Sequence, residues 1–240
     1  MARRAPSVPR LASLKACLDF FQGSADRQYW WYRGQRDARW EPSPGLFRVH
    51  ARHTRRGRAA NRYTESIMLR KFKEAVRLML PIEPRDDWEW LALAQHHGLL
   101  TRLLDWTRNP MVALYFAVEK AHDGDSAVWC IRPKATYDTA ENAPWEIEKV
   151  WTVYLPHVSP RIGVQKGVFT AHPFPELPPE RWGLPVEKVI IAAEARVEIR
   201  SQLRAFGVDR ASLFPDFDGI ASSINNSECL VEADEKRGVT

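Results

Sequence analysis

Cysteine is scarce: Cys17, Cys130 and Cys229 are the whole complement of 240 residues, widely spaced and without a CxxC unit. That argues against a disulfide framework and a cysteine zinc site, and it fits a reducing cytoplasm. No run of 18 apolar residues occurs, so no membrane-spanning helix is expected. The N-terminal MARRAPSVPR is basic and proline-rich and leads into an amphipathic segment, not the apolar stretch of a signal peptide. Internal repeats and low-complexity linkers are absent as well. His96 and His97 are adjacent, so on a helix they diverge by about 100° and cannot share a metal in the i, i+4 manner. No metal site is expected.

Acid is missing from one stretch. Residues 48–63, RVHARHTRRGRAANRY, hold six arginines and no carboxylate, which exceeds the net charge of +5 for the whole chain. The remainder is therefore close to neutral, and the basic character is local. An exposed basic loop of this kind attracts phosphates, so Arg52, Arg55, Arg56 and Arg58 are candidate DNA or RNA contacts.

What remains is ordinary globular composition, 45% hydrophobic and 27% charged, with ten tryptophans to fill a core. Periodicity predicts helices over 11–21, 64–80 (capped by Thr64, stopped by Pro81), 86–98 and 109–122. Leu69, Phe72, Val76 and Met79 form the inner stripe of the second; Trp88, Leu91, Ala92 and Gln95 that of the third. Asp86 with Glu89 makes a capping-box pattern, and Gly98 is placed as the C′ residue. Asn109 and Pro110 open the next helix, facing Met111, Leu114, Tyr115 and Val118 inward. Strands are expected near 29–35, 101–107, 127–131, 150–155, 164–171 and 186–193, then helices over the segments VEIRSQLRAFG and FDGIASSI. This is an α+β chain with one domain at 11–230, a disordered basic N-terminus at 1–10 and a frayed C-terminus at 231–240.

Two stretches carry candidate chemistry. In YWWYRGQ, strand alternation puts Trp31 and Arg33 on one face and Trp30, Tyr32 and Gly34 on the other. In QHHGLLTRLLDWTRNPMVALYFA (95–117), Arg102 and Asp105 are embedded in apolar residues and must be paired, with each other in the simplest case, or line a cleft.

Tyr32-Arg33-Gly34-Gln35, Trp40, Pro42, Leu46-Phe47-Arg48, Glu65, Phe72 and the 95–117 block occur in the order of the FRG domain. RIGVQKGVFT (161–170) and LFPDFDGIA (213–221) resemble that family's later segments. The chain resembles the family over about residues 14–224, with Tyr-Arg-Gly where the family name has Phe-Arg-Gly.

The Tyr-Arg-Gly strand in turn looks like the first strand of arginine-type ADP-ribosyltransferases. That resemblance implies an ADP-ribosyltransferase-like mixed or antiparallel sheet core with flanking helices. It also implies NAD as substrate, with Tyr32, Arg33, Gly34, Gln35, His97, Thr101, Arg102, Thr107 and Tyr115 as its contacts. An arginine fork suits a pyrophosphate, and Gly34 would let the ligand approach the backbone. The implied role is modification of a nucleic-acid or protein acceptor, as in a toxin or phage-defence effector with a neutralising partner protein. The transferase glutamate is missing: Gln165-Lys166-Gly167 puts glycine in its place. Glu65, Asp105 and Gln165 are the catalytic candidates. The alternative is a non-catalytic nucleotide- or nucleic-acid-binding module on the same scaffold.

Overall fold

The structure, a computed structural model, describes residues 8–23, 25–53, 62–155 and 160–225. Seven strands form one mixed sheet in the order β1-β7-β4-β2-β3-β6-β5. They are β1 (Arg10–Leu11), β2 (Trp31–Gln35), β3 (Leu103–Thr107), β4 (Ser126–Ile131), β5 (Trp151–Val153), β6 (Gly167–Ala171) and β7 (Val186–Ile191). β1 runs parallel to β7, and every other pairing is antiparallel. Arg10, expected in the N-terminal tail, is tied into β1 and bonded to Asp125 and Glu194. The rest of both expected tails, 1–7 and 226–240, lies outside the described residues.

Register decides what each face carries, because directly opposed residues of an antiparallel pair share a side. Tyr32 faces Cys130 and Thr107, putting all three on one side; Arg33 faces Trp129 on the other. The first side is covered by two groups of helices. Helices α1 (Leu14–Gln22), α5 (Pro110–Val118) and α7 (Arg196–Ala205) bury Tyr32, Val128, Cys130 and Val189 of the β7-β4-β2 half. Helices α3 (Arg62–Val76) and α4 (Asp87–His96) bury Leu103, Phe169 and Val153 of the β3-β6-β5 half. The opposite side is a cluster rich in tryptophan: Trp31, Trp106, Trp129 and Trp182.

The boundary between the helix groups follows the weakest pairing of the sheet. β2 meets β3 only at Tyr32 and Thr107, whereas β2 and β4 are in register over all five residues of β2. Beyond that single pair the strands separate. This seam holds the candidate site.

Local signals behave as expected where they are chemical. Ser13, not singled out in the sequence, caps α1, accepting from the Ala16 N–H at 3.1 Å. Asp86 caps α4 through the Glu89 N–H. Glu89 does not return the bond to the cap residue; its carboxylate takes the N–H of Arg85 instead, at 2.8 Å. At the other end Gly98 has φ +90°, its N–H reaches the Gln95 carbonyl, and the Leu99 N–H reaches Ala94. That is a Schellman closure, and the positive φ is what glycine supplies. Asn109 and Pro110 open α5 as expected.

Five expectations need correction. α3 begins at Arg62, so Thr64 lies inside it and does not cap it, and Met79 sits in a 3-10 turn with 77% of its surface exposed. α4 has no single inner stripe: Trp88 through Ala94 are all buried, because α3, β3 and the segment carrying Tyr137 and Asn142 enclose it. The strand expected at 164–171 begins only at Gly167. It follows α6 (Pro160–Val164) and a turn in which Lys166 has φ 49°. The basic segment is partly helical, since α2 (Gly45–His53) occupies its start and α3 its end.

Candidate functional site

Arg33 lies on the last half of β2, where β3 has drawn away. Its Nη1 donates to the Asp105 carbonyl oxygen at 2.7 Å, a bond that bridges the parted strands. The nearer Asp105 carboxylate oxygen is 4.0 Å away, and the buried Nε has no partner. Burial lowers the Arg33 pKa to about 10, with the Asp105 charge opposing and Arg48 reinforcing. The result is a guanidinium held largely out of water with an incomplete set of acceptors, which is the condition in which an anion is bound.

Around it opens a cavity of about 350 Å³. β2 supplies Tyr32, Gly34 and Gln35; β3 supplies Asp105, Trp106 and Thr107. Arg36, Trp40, Arg48 and Gln165 also line it, as do Phe116, Glu119 and Lys120 at the end of α5. Arg36 stands 5.2 Å over the Trp40 ring. Four cationic side chains therefore line the cavity against two carboxylates, and Glu119 is already paired with Arg210 at 2.5 Å. Behind Trp106, its indole N–H donates to Thr170 Oγ1 at 2.9 Å, which also bonds His172 Nε2 at 2.9 Å. Burial and the Arg33 charge depress the His172 pKa to about 3.

Asp105 is the exposed member of an otherwise buried strand. Gln95 Nε2 donates to its Oδ1 at 2.7 Å, and the Thr101 hydroxyl donates to Gln95 Oε1. Asp105 is thus not the partner of Arg102. Thr107 accepts from the Asn109 N–H and donates to the Gln165 carbonyl at 2.6 Å, so its hydroxyl fixes the turn before β6.

Of the residues anticipated from sequence, the cavity gathers Tyr32, Arg33, Gly34, Gln35, Asp105, Thr107 and Gln165. Glu65, His97, Thr101, Arg102 and Tyr115 do not line it. Glu65 and Arg102 form an ion pair with neither side chain exposed. Thr101 stands behind Asp105, through Gln95. His97 is an exposed cap residue of α4, and Tyr115 is buried in the α1/α5/α7 core. Gly34 does not clear space for a ligand on its Cα. A Cβ there would lie 1.9 Å from the Ala113 carbonyl oxygen, so the glycine admits the α5 backbone. Phe116, Glu119 and Lys120 were not anticipated, although their i, i+3, i+4 spacing marks one helical face.

Arg55, Arg56 and Arg58, and the side chain of Arg52, lie outside the described residues. Among the described residues no three His, Cys, Asp or Glu side chains are grouped to hold a metal ion, and no helix is long and apolar enough to cross a membrane.

Residues 28–126 match the model of the FRG domain family, which supports assignment to that family. The matched stretch contains β2, α3, α4, β3 and α5, hence both lips of the seam. No curated protein and no solved structure matches the chain.

Proposed function

We propose that the seam cavity binds NAD through its pyrophosphate and that the chain is an ADP-ribosyltransferase-like enzyme. The observation that carries this reading is Arg33: a guanidinium held largely out of water, its buried Nε unpartnered, lining a cavity together with Arg36 and Arg48. Two phosphates presented to three guanidinium groups gain charge-assisted, bidentate hydrogen bonds. Trp40 and Phe116 offer flat apolar surface to a ring of the ligand. A cavity of about 350 Å³ is at the small end for a ligand site, enough for part of the dinucleotide with the rest over the open mouth.

In the proposed reaction the bond from ribose C1′ to the nicotinamide nitrogen breaks, and its electron pair neutralises the pyridinium. An acceptor oxygen or nitrogen bonds to C1′ and gives up its proton to solvent. The carboxylate available to stabilise positive charge on the ribose is Asp105, since Glu119 is committed to Arg210 and Glu65 to Arg102. The acceptor, in this reading, is a nucleic acid or a protein. A second reading, a module that binds NAD without turning it over, is favoured by one observation: Gly167, where the transferase glutamate is expected, begins β6 without a carboxylate.

Both readings require Arg33 for binding. Arg33→Ala is expected to weaken NAD roughly tenfold to a hundredfold by calorimetry, in a protein that stays folded. Arg33→Lys should fail similarly, because an ammonium lacks the fork. Unchanged affinity in folded Arg33→Ala would refute both. Labelled NAD with mixed DNA, RNA and protein then separates them: transferred or released label supports the enzyme.

A further inference from the structure

Asp105 has 63% of its side chain exposed, yet its carboxylate is held on a short relay of hydrogen bonds. The Leu103 N–H donates to Thr101 Oγ1 at 3.1 Å, and the threonine hydroxyl keeps its own proton to donate. That proton goes to Gln95 Oε1. With Oε1 committed, the amide can point only Nε2 toward Asp105, and it donates there at 2.7 Å. The carboxylate at the far end only accepts, so it sets the direction of the bonds: Gln95 presents Nε2 to Asp105 and therefore Oε1 to the threonine hydroxyl.

Stability alone does not account for this arrangement. An exposed aspartate is well solvated and gains little from a side-chain hydrogen bond. What the relay supplies is orientation. Gln95 belongs to α4, which is buried almost all round and closed at its end by Gly98, so the amide is mounted on a rigid element. Thr101 is itself 1% exposed, and its carbonyl accepts the Leu46 N–H at 3.4 Å. The carboxylate so fixed lines the cavity beside Arg33.

We infer that Gln95 and Thr101 are positioning residues that aim the Asp105 carboxylate at the ribose of a bound dinucleotide; this rests on the NAD reading above. The relay supplies, from α4 and the entry of β3, the support that a carboxylate on the neighbouring β6 would have had from its own strand. Neither residue touches the ligand. Their effect is on turnover and not on affinity.

The inference is tested with Gln95→Leu, Thr101→Val and Thr101→Ser, each checked for an unchanged melting temperature. NAD affinity should stay within about threefold of wild type in all three, because uniform binding is untouched. Single-turnover nicotinamide release should fall roughly 10- to 100-fold in Gln95→Leu and Thr101→Val, as expected when a charge-stabilising group loses its aim. Thr101→Ser, which keeps the hydroxyl, should recover most of that loss. A readout independent of turnover is the Gln95 side-chain amide in ¹H–¹⁵N spectra. It should be ordered and slow to exchange in wild type, and averaged in Thr101→Val and Asp105→Ala. A mobile Gln95 amide in wild type overturns the inference whatever NAD does. An ordered amide with full-rate release in Gln95→Leu overturns the positioning role. An ordered amide in a wild type that binds NAD but releases no nicotinamide overturns the transferase reading, and the inference about turnover with it.

Discussion

Replacing Glu65 is expected to damage the fold, not the chemistry. Its Oε2 accepts from Arg102 Nε at 2.6 Å and its Oε1 from the Arg102 backbone N–H at 2.7 Å. Arg102 Nη1 continues to the Pro144 carbonyl at 2.6 Å, and the guanidinium lies 5.1 Å from the Trp145 ring and 4.7 Å from Phe174. Neither charged side chain has any exposed surface. One carboxylate thus joins α3 to the entry of β3 and, through Arg102, to the loop before β5. Removing one partner of such a pair strands the other charge in the interior, at a cost of about 3–5 kcal/mol. Against a typical total stability of about 5–15 kcal/mol that is a large share. For a chain of this size it corresponds to a fall in melting temperature of roughly 6–20 °C. Glu65→Ala and Arg102→Met should each show it. The double variant Glu65→Ala/Arg102→Met should recover part of the loss, because with both charges gone neither is stranded. Urea unfolding of the four proteins gives the coupling directly. A loss below about 1 kcal/mol in Glu65→Ala, with nicotinamide release abolished, would refute the structural assignment and return Glu65 to the reaction.

Gly34→Ala should cost at least about 3 kcal/mol, since the new methyl meets the Ala113 carbonyl oxygen at 1.9 Å and the Ala117 nitrogen at 2.6 Å, both backbone. Gly45→Ala, whose nearest contact is a leucine methyl at 3.2 Å, is the mild comparison, and equal melting temperatures for the two would contradict the helix-on-strand account. His172 makes stability pH-dependent. Its folded pKa, about 3, lies below the unfolded 6.5, so the unfolded chain takes up a proton first and stability is lost as pH falls through that window. Between pH 6.5 and 4.5 this amounts to about 2–3 kcal/mol, and urea midpoints at the two pH values should converge in His172→Gln; an undiminished difference would count against it. Changing Arg52, Arg55, Arg56 and Arg58 to Gln should leave the melting temperature nearly unchanged while lowering the affinity for single-stranded RNA or DNA and flattening its salt dependence. Identical binding by both proteins across a salt titration would remove those arginines from any nucleic-acid contact.

What was legible in the sequence was mostly local. Caps and stops at Asp86, Gly98 and Asn109 act within four residues of chain, and each helix they bound is present. The Arg33 strand was readable because its aromatic alternation matches a pleat. Partners across the fold were not readable. Arg102 had a carboxylate three residues away in Asp105, yet it pairs with Glu65, 37 residues away, because strand alternation sends Arg102 and Asp105 apart. Glu65 looked like a first-turn helix charge, a position that is usually solvated. Only the closure of α3 over β3 buries it. Gly34 was rightly singled out but for the wrong neighbour, since nothing in the chain order says that α5 crosses β2 at that residue. Gln165 was read as strand because Val164 to Ala171 alternates; the turn at Lys166 intervenes, and a positive φ at a lysine leaves no compositional trace.

The single residue pair joining β2 to β3 has a mechanical consequence. Each half of the sheet is braced by full ladders and its own helices, so load is carried stiffly within a half and poorly between them. Tension across β2 and β3 would concentrate on Tyr32, Thr107 and the Arg33 tether to Asp105, where the described strands share the fewest paired residues. A ligand gripped from both lips would act there as a splint. Its grip should register as added resistance to pulling the two halves apart, before any bond within it is broken.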